Sequence, residues 1–390
     1  MFEMSSCAGA ALRGTFLAAT LTAGLAFAGP APAIAQQPVY KIGAALGMTG
    51  YGADTDRPWA QGAELAVAAI NAKGGLLGHK LEYIVEDNHS DPQQAVVVYR
   101  KMLSDNVQIF DSGCVSAGNF AGAPSVVRKE IPMVLCSILP PRPAEQHWAF
   151  STLPPPRFEI ETRYAYLKNH TDIREIGILH DPTPYAMLMD RLALKVAPEF
   201  GLKVVANETY QQDDSDMSVQ VGRIHAAGGG AIVKMGQGGS LVTVAKNIKQ
   251  LGLTKMLLMG SIDNGTVFHQ AAAVIGDRLL FVAPGVQIPA SIKTAAGKAA
   301  AEDFLRIWRT KYGDNDALSG ARGWDSIMII AKAAEIAHSL KGPAMRAALE
   351  KVHGFQGAIS VYNFSPTEHN GITENPFVIG VVQGNQLVAK

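Results

Sequence analysis

The sequence predicts an α/β protein with two doubly wound parallel-sheet lobes that are linked by several chain crossovers. Three observations indicate this fold. Apolar strand-like runs alternate with helical patterns, as in parallel sheets built from βαβ units. A proline-rich stretch at residues 140–156 interrupts the alternation. After Pro284 the pattern changes to long helices followed by short extended segments, which predicts a tail that packs back onto both lobes.

The first 35 residues are predicted to be an export signal. Arg13 precedes an apolar stretch at residues 14–28, and a small-residue site follows at residues 33–35. A transmembrane helix is the alternative, but the apolar stretch is shorter than the roughly 20 residues that a span needs. We therefore expect cleavage near Ala35 and a periplasmic mature chain.

The first lobe opens with the clearest βαβ unit of the sequence. Its helix has Pro58 in the first turn and ends before Gly74 and Gly75, which are typical start and stop residues. Asp91 and Pro92 then cap the next helix. The predicted strands of this lobe are residues 40–46, 80–86, 108–111 and 132–136, with helices at 57–71, 92–105 and 119–130.

The second lobe follows the proline-rich stretch as a further βα series. Its predicted elements are a helix at 157–168 and strands at 175–180, 203–205, 231–235, 256–259 and 279–282. The tail adds helices at 291–312 and 320–339 and extended segments at 360–364 and 377–383. We expect its helices on the first lobe and its strands on the second, which gives lobes of residues 36–154 with 285–357 and of residues 155–284 with 358–390.

Charge and histidine patterns exclude several classes of partner. Lysine plus arginine equals aspartate plus glutamate at 34 each, and no long basic run or aromatic-basic stripe appears. The charge pattern therefore does not predict binding to nucleic acid or to anionic lipid. The 10 histidines are scattered, without metal-ligand spacing, so we expect neither a metal nor another cofactor.

The glycines after the first strand fit neither nucleotide-binding motif. Gly50 and Gly52 would need a third glycine where Thr55 stands. Gly47 and Gly52 have the separation of a Walker loop, but Ala53 follows instead of lysine. Nucleotide binding is therefore not expected.

The turn at residues 113–118 resembles a hydrolase nucleophile elbow but breaks its spacing. Cys114 stands where that motif has glycine, two residues before Ser116. A nucleophile would also need a positioned base. Further on, His180 and Asp181 end a strand, which favours a structural turn over acid–base chemistry. We therefore do not expect an enzyme. Instead, we expect the hydroxyl and N–H groups at this helix start to hold a ligand carboxylate.

Cys114 and Cys136 remain once the export signal, which contains Cys7, is removed. Both lie at the ends of successive predicted strands, and the compartment permits oxidation. Neighbouring strand ends are close enough for the Cα spacing of a bridge. The sequence leaves open a disulfide or two buried free thiols.

Several short stretches carry a family resemblance. The first half contains Ile42-Gly43-Ala44, Met48-Thr49-Gly50, Gln61-Gly62-Ala63-Glu64-Leu65-Ala66, Ile70-Asn71-Ala72-Lys73-Gly74-Gly75 and Asp91-Pro92-Gln93-Gln94-Ala95. Later stretches are Ile131-Pro132, His180-Asp181-x-x-x-Tyr185, Met259-Gly260 and Gly323-Trp324-Asp325. Together they resemble the leucine/isoleucine/valine-binding branch of the type I periplasmic binding proteins. The resemblance implies two Rossmann-like lobes joined by a three-crossover hinge, with a ligand trapped between them for an ABC importer.

The resemblance also implies which residues contact the ligand. The family's carboxylate-holding serine loop falls at residues 114–118, with Ser116 and Ala117 as the contacts. Ser137 matches a position that offers its backbone carbonyl, and Tyr185 matches a tyrosine of the second lobe. A turn aromatic is the alternative role for Tyr51 and Tyr185. The remaining expected contacts are Thr49, Gly50, Tyr51 and Leu139 in the first lobe and Gln237 and Asp263 in the second.

The chain departs from the family pattern where the ligand is recognised. Leu139 stands at a threonine position of amino-acid binders, and Ile262 or Asp263 at their ammonium-binding glutamate. Asp263 replaces that acid only if the register slips by one residue. The family's cysteine on the second strand appears as Ser90, so a bridge in this chain would be a different one. Because an unpaired carboxylate in a closed cleft is costly, Asp263 facing the ligand favours an ammonium group.

We therefore expect a monomeric solute-binding protein of an ABC importer, with membrane permease subunits as partners. Its expected ligand is a hydrophobic amino acid of the branched-chain type or a related small carboxylate. Two alternatives stay open. One is a binder of aromatic or aliphatic organic acids, which Leu139 and Ile262 support. The other is a ligand sensor of the same fold.

Overall fold

Two large sheets and one two-stranded sheet organise residues 37–390, the part of the chain that the computed structural model describes. The predicted export signal and its cleavage site lie outside these residues. No helix within residues 37–390 has the length and apolar character needed to cross a membrane.

The first sheet is parallel, has five strands and follows the order β2-β1-β3-β4-β5. It confirms the predicted βα alternation, and the Asp91 carboxylate caps the helix after β2 by accepting from Gln93 N and Gln94 N, both at 2.8 Å. The strands are β1 (Val39–Leu46), β2 (Lys80–Asp87), β3 (Ile109–Ser112), β4 (Met133–Leu135) and β5 (Ala149–Ser151). The helices are α1 (Ala53–Ala72), α2 (Pro92–Ser104), α3 (Ser116–Val127) and α4 (Pro143–Gln146).

The second sheet has seven strands in the order β14-β13-β10-β9-β8-β6-β7. Strands β6 to β10 run parallel, whereas β13 and β14 extend one edge as an antiparallel pair. The strands are β6 (Glu175–His180), β7 (Lys203–Thr209), β8 (Ala231–Lys234), β9 (Leu257–Gly260), β10 (Leu279–Pro284), β13 (Phe377–Gln383) and β14 (Gln386–Ala389). The helices are α5 (Pro156–His170), α6 (Pro184–Val196), α7 (Ser218–Ala226), α8 (Ser240–Gln250) and α9 (Gly265–Ile275).

The tail returns to the first sheet before it reaches the second. Its helices are α10 (Ala295–Tyr312), α11 (Leu318–Ala337) and α12 (Gly342–Leu349). The extended segment expected at 360–364 does not join the second sheet. Instead β12 (Val361–Tyr362) pairs with β11 (Phe355–Gln356), and Gly371 N donates to Ser151 O of the first sheet at 2.9 Å. The chain therefore crosses between the lobes three times, after β5, after β10 and before β13. The exact lobe boundaries stay predictions.

Helix α11 packs against α1 through glycines that bring the two backbones together. A Cβ atom at Gly62 would lie 1.8 Å from Gly320 O, and one at Gly323 would lie 2.2 Å from Trp59 O. Both distances are far below van der Waals contact. The tail helix is therefore fixed to the first lobe by a contact that admits no side chain at these positions.

Replacement of Gly323 by alanine is expected to lower the melting temperature, because the added methyl group must push the α1 and α11 backbones apart. Overpacking of this kind costs about 1–3 kcal/mol. Gly222→Ala in α7 is the matched control, since a Cβ atom there meets nothing within 4 Å. We expect that control to be neutral or slightly stabilising, and equal melting temperatures for the two variants would contradict the close packing.

Candidate functional site

A cavity lies between the two lobes, where the carboxyl ends of their parallel strands face each other. This is where open α/β sheets bind ligands. The empty space in and around the cavity amounts to about 720 Å³, a figure that includes open solvent at its mouth. The first lobe lines it with Tyr51, Gly52, Asp54, Thr55, Cys114, Val115, Ser116, Ala117, Cys136, Ser137 and Leu153. The second lobe adds Asp181, Thr183, Pro184, Tyr185, Gln212, Gly236, Gln237, Gly238 and Asp263.

The start of helix α3 forms one end of this cavity. The helix begins at Ser116, three residues earlier than predicted, and its N-cap residue Val115 offers no capping side chain. The first N–H groups of a helix have no intrahelical acceptor, so those of Ser116 and Ala117 are available to a ligand. Together with the Ser116 hydroxyl they provide a site for a carboxylate.

Buried polar groups hold the loop that precedes α3 in place. The Asp56 carboxylate accepts from Gly47 N at 2.8 Å and from Cys114 N at 2.9 Å. Burial raises the pKa of Asp56 to about 6, although these two hydrogen bonds act in the opposite direction. The Asn119 side chain donates to Gly113 O and to Ser137 Oγ, both at 2.9 Å. The start of α3, which provides the site for a ligand carboxylate, is therefore held in place by hydrogen bonds within the protein.

Cys114 and Cys136 are joined by a disulfide, with their Cα atoms 4.5 Å apart. The bond links the turn after β3 to the turn after β4, and both residues line the cavity. The sequence had left open a bridge or two free thiols, and the structure contains the bridge.

Reduction of this disulfide is expected to destabilise the protein. The two cysteines are separated by 22 residues, and closing a loop of that size stabilises a folded chain by about 3 kcal/mol. Melting temperatures with and without a reductant would measure the effect, and the Cys114→Ser, Cys136→Ser double variant is the control. We expect reductant to lower the melting temperature of the wild-type protein and to leave that of the variant unchanged. A wild-type melting temperature that does not respond to complete reduction would contradict this.

The second-lobe wall of the cavity presents Asp263 from the turn after β9. Its Oδ2 atom accepts from Gly238 N at 2.5 Å, and its Oδ1 atom accepts from Asn264 N at 2.8 Å. Only 6% of the residue is exposed, and burial raises the pKa of Asp263 to about 6, while the charge of Lys234 acts to lower it. Asp263 therefore faces the cavity as a buried carboxylate without an ion-pair partner within the wall itself.

Tyr185 is held against the same wall by a buried ion pair. Its hydroxyl donates to Glu159 Oε2 at 2.9 Å, and Glu159 Oε1 lies 3.2 Å from Arg163 Nη2. Arg163 in turn donates through Nη1 to Lys234 O at 2.9 Å, which connects helix α5 to strand β8. The aromatic ring thus has a fixed position in the cavity.

Two hydrogen bonds cross between the lobes beside the cavity. Asn264 Nδ2 donates to Asp54 O at 2.7 Å, and Gly265 N donates to Asp316 Oδ2 at 2.6 Å. Both donors lie at the start of α9 in the second lobe, whereas the acceptors lie in α1 and just before α11. The structure therefore represents lobes that are closed over the cavity.

The structure brings most of the predicted contacts together. The residues of the sequence-based set that line the cavity are Tyr51, Ser116, Ala117, Ser137, Tyr185, Gln237 and Asp263. Of the two residues left open for the position of the family's acid, Asp263 lines the cavity, whereas Ile262 is buried in the core. The Ser137 carbonyl, expected to meet the ligand, accepts from Ser151 Oγ at 2.7 Å.

Three predicted contacts lie elsewhere. Thr49 is turned outward, where its hydroxyl donates to Asp87 Oδ2 at 2.7 Å. Gly50 serves the turn before α1, with a φ of 80°. Leu139 lies beside a different hollow, next to Pro143, because β4 ends four residues earlier and the chain has left the sheet edge. The expectation that these residues line the ligand cavity is corrected accordingly.

The cavity also contains residues that the sequence analysis did not select. Asp181 follows β6 directly and Thr183 comes two residues later, so their position at a strand end was a signal that could have found them. Thr183 N donates to Asp181 Oδ1 at 2.9 Å, so Asp181 serves the turn as well. Leu153 follows β5 by two residues and Gln212 follows β7 by three, but β5 was not predicted and β7 was predicted to end at residue 205, so the sequence did not mark these positions as strand ends.

The lining has an uneven charge. Its acidic members are Asp54, Asp181 and Asp263, and none of its members is lysine, arginine or histidine. Among residues 37–390 there is also no cluster of three or more side chains placed to hold a metal ion. The start of α3 favours a negative group on one side of the cavity, and the Asp263 carboxylate favours a positive group on the other side. This arrangement suits a zwitterion.

Comparison with known proteins gives consistent results along nearly the whole chain. The family profile described as periplasmic binding protein matches residues 39–386. The Leu/Ile/Val-binding protein homolog 1 of Brucella abortus (strain 2308) is 24% identical over 304 residues, which cover 76% of this chain and 78% of the relative. The leucine-, isoleucine-, valine-, threonine-, and alanine-binding protein of Pseudomonas aeruginosa is 26% identical over 268 residues, covering 68% of this chain and 71% of that protein.

Solved structures share the fold. An extracellular ligand-binding receptor from Rhodopseudomonas palustris HaA2 has a TM-score of 0.81 at 20% identity, covering 90% of this chain and 99% of its own. The branched-chain amino acid transporter substrate binding protein LivJ from Streptococcus pneumoniae, in complex with isoleucine, has a TM-score of 0.76 at 20% identity. It covers 90% of this chain and 98% of its own. At these identities the two structures show the fold alone.

Proposed function

Since the chain belongs to the type I periplasmic binding proteins and has relatives named as Leu/Ile/Val-binding proteins, we propose that it delivers a hydrophobic amino acid to an ABC importer. The family is extracytoplasmic and binds solutes rather than transforming them. In the proposed cycle the two lobes close on a leucine-like ligand, and the closed protein hands it to the membrane permease subunits.

One observation carries the proposal. The start of α3, with Ser116 and Ala117, and the carboxylate of Asp263 line the same cavity from different lobes. A helix start favours the ligand carboxylate, and a buried acid that faces the cavity favours the ligand ammonium group. A ligand that carries both groups bridges the lobes and stabilises their closed arrangement.

The apolar lining supports a hydrophobic side chain on that ligand. Val115 and Leu153 contribute from the first lobe, and Pro184 and Tyr185 from the second. The organic-acid alternative rested on Leu139 and Ile262, and neither lines the cavity. An amino acid is therefore the better candidate than an acid that lacks an amino group.

A thermal-shift screen of the mature protein tests the proposal. The panel contains leucine, isoleucine and valine, aromatic amino acids, organic acids without an amino group, and dicarboxylates. A ligand that binds only the folded state adds about 2.7 kcal/mol of stability at a hundredfold excess over its Kd. We expect a shift with leucine-like amino acids. Shifts confined to acids without an amino group would overturn the proposed ligand class.

A further inference from the structure

Lys234 occupies the central one of three neighbouring strands beneath the cavity. It is the last residue of β8, and it pairs in register with Leu179 of β6. On the other side β8 pairs with β9, through Val233 and Met259. Asp181 follows the end of β6, and Asp263 lies shortly after the end of β9. The lysine is thus flanked by the two strands that bring buried acids to the cavity.

The lysine is buried, with only 1% of its surface exposed. Its Nζ atom donates to Gly236 O at 3.0 Å and lies 5.5 Å from the centroid of the Tyr210 ring. An ammonium group has three donors, and one backbone acceptor with one aromatic face does not replace the water that it has lost. Packing alone therefore gives no reason for a lysine at this position.

Charges on the surrounding elements supply the reason. The acids that attract Lys234 are Asp263, Asp181 and Glu159, and Arg163 repels it. Burial lowers the pKa of Lys234 to about 8, so the side chain is still mainly charged at neutral pH. In return the lysine charge lowers the pKa of Asp263, which burial and the nearby Asp316 carboxylate raise.

We propose that Lys234 is a buried counter-charge that keeps Asp263 ionised, and that it thereby selects ligands with an ammonium group over ligands of the same shape without one. The inference rests on the proposed function, because it assumes that Asp263 meets the ligand. Lys234 does not line the cavity, so it does not contact the ligand. It is a positioning residue that acts on the ligand through the charge of Asp263. Without it, Asp263 would take up a proton near neutral pH and lose its preference for a cation.

The test compares wild-type protein with Lys234→Met by titration calorimetry at intervals from about pH 5.5 to 8.5. The probes are leucine and 4-methylpentanoate, which has the leucine skeleton without the amino group. Wild-type leucine affinity should fall only below about pH 6, where Asp263 is protonated. In Lys234→Met we expect that fall to begin at least one pH unit higher, which amounts to a roughly threefold loss at pH 6.5 that grows to roughly eightfold at pH 5.5.

The shape of the pH profile separates this role from a structural one. If Lys234 acts through charge, leucine affinity of Lys234→Met returns at pH 8.5, where Asp263 ionises without help. Its preference for leucine over 4-methylpentanoate should shrink at pH 6.5 and recover with the affinity. A variant that is merely damaged would lose the same factor at every pH, and that result would overturn the proposal. A Lys234→Met protein whose leucine affinity varies with pH as it does in the wild type would also overturn the proposal.

Lys234→Gln provides a second variant, since its amide keeps a donor while the charge is removed. We expect its pH profile to follow that of Lys234→Met. If neither variant folds, wild-type protein still gives an answer, because a bound ammonium group neutralises Asp263 and lowers the pKa of Lys234. Leucine binding at about pH 8 should then release protons, which calorimetry in buffers of different ionisation enthalpy detects. No proton release would overturn the proposal.

Failure of the proposed function has a different signature. If wild-type protein binds neither leucine nor any other amino acid between pH 5.5 and 8.5, the amino-acid assignment itself is wrong. If wild-type protein binds leucine while both Lys234 variants keep its pH profile, the assignment stands and the counter-charge role fails.

Discussion

Replacement of Asp263 by asparagine is expected to weaken leucine binding about a hundredfold or more. The variant keeps the shape of the side chain but removes the only charge that faces the ligand ammonium group from the turn after β9. Loss of one partner of a buried ion pair costs about 3–5 kcal/mol, and every 1.4 kcal/mol is a factor of ten in affinity. In addition, asparagine has an NH2 group in place of one of the two carboxylate oxygens. Because NH2 cannot accept a hydrogen bond, one of the two backbone N–H groups loses its acceptor.

The control for this variant is Asp277→Asn. Asp277 is an exposed acid of the same lobe, outside the cavity, and we expect its replacement to leave leucine affinity unchanged. Calorimetric titration of both variants with leucine gives the comparison. A folded Asp263→Asn protein with wild-type affinity would show that the ammonium group is bound elsewhere.

Replacement of Asp325 by alanine is expected to cause the largest loss of stability. This acid of helix α11 is fully buried and accepts from Ala358 N at 2.7 Å, Ile359 N at 2.9 Å and Tyr362 OH at 2.9 Å. The alanine variant leaves three buried donors without an acceptor. Since each such group costs about 1–3 kcal/mol, we expect a loss of at least 3 kcal/mol.

Glu335→Ala is the matched control on the same helix. Glu335 is exposed and pairs only with Lys332 at 3.2 Å, an interaction that contributes about 0.3–0.5 kcal/mol. Thermal melting of the two variants would show a drop of several degrees for Asp325→Ala and almost none for Glu335→Ala. Equal melting temperatures would mean that the β11–β12 segment does not depend on Asp325.

Much of the fold could be predicted because strand and helix signals are local. The buried parts of β1 and β6 are apolar runs, at residues 42–46 and 176–179, and Asp91 with Pro92 marks a helix start by its own chemistry. The start of α3 was missed by three residues, because Ser116 and Gly118 are weak helix formers and the segment becomes helical through its packing in the lobe. The β11–β12 pair was not foreseen, since it forms against Asp325, a contact distant in sequence.

The lining residues that were predicted correctly came from the family resemblance, and they lie a few residues past strand ends. Ser116, Ser137 and Asp263 follow β3, β4 and β9 within a few residues, and sheet geometry brings them together. Leu139 failed because the chain beyond β4 turns away from the sheet edge, which no residue pattern indicates. The role proposed for Lys234 could not be read from the sequence at all, since it depends on which strands are neighbours in the sheet.

Calorimetric titration of wild-type protein at pH 7 with leucine, 4-methylpentanoate and 3-methylbutylamine tests the central claim most directly. The three ligands share one apolar skeleton and differ only in the ammonium and carboxylate groups. We expect leucine to bind at least a hundredfold more tightly than either analogue, because each analogue leaves one charged end of the cavity unpaired. Equal affinity for leucine and 4-methylpentanoate would contradict the pairing of Asp263 with an ammonium group.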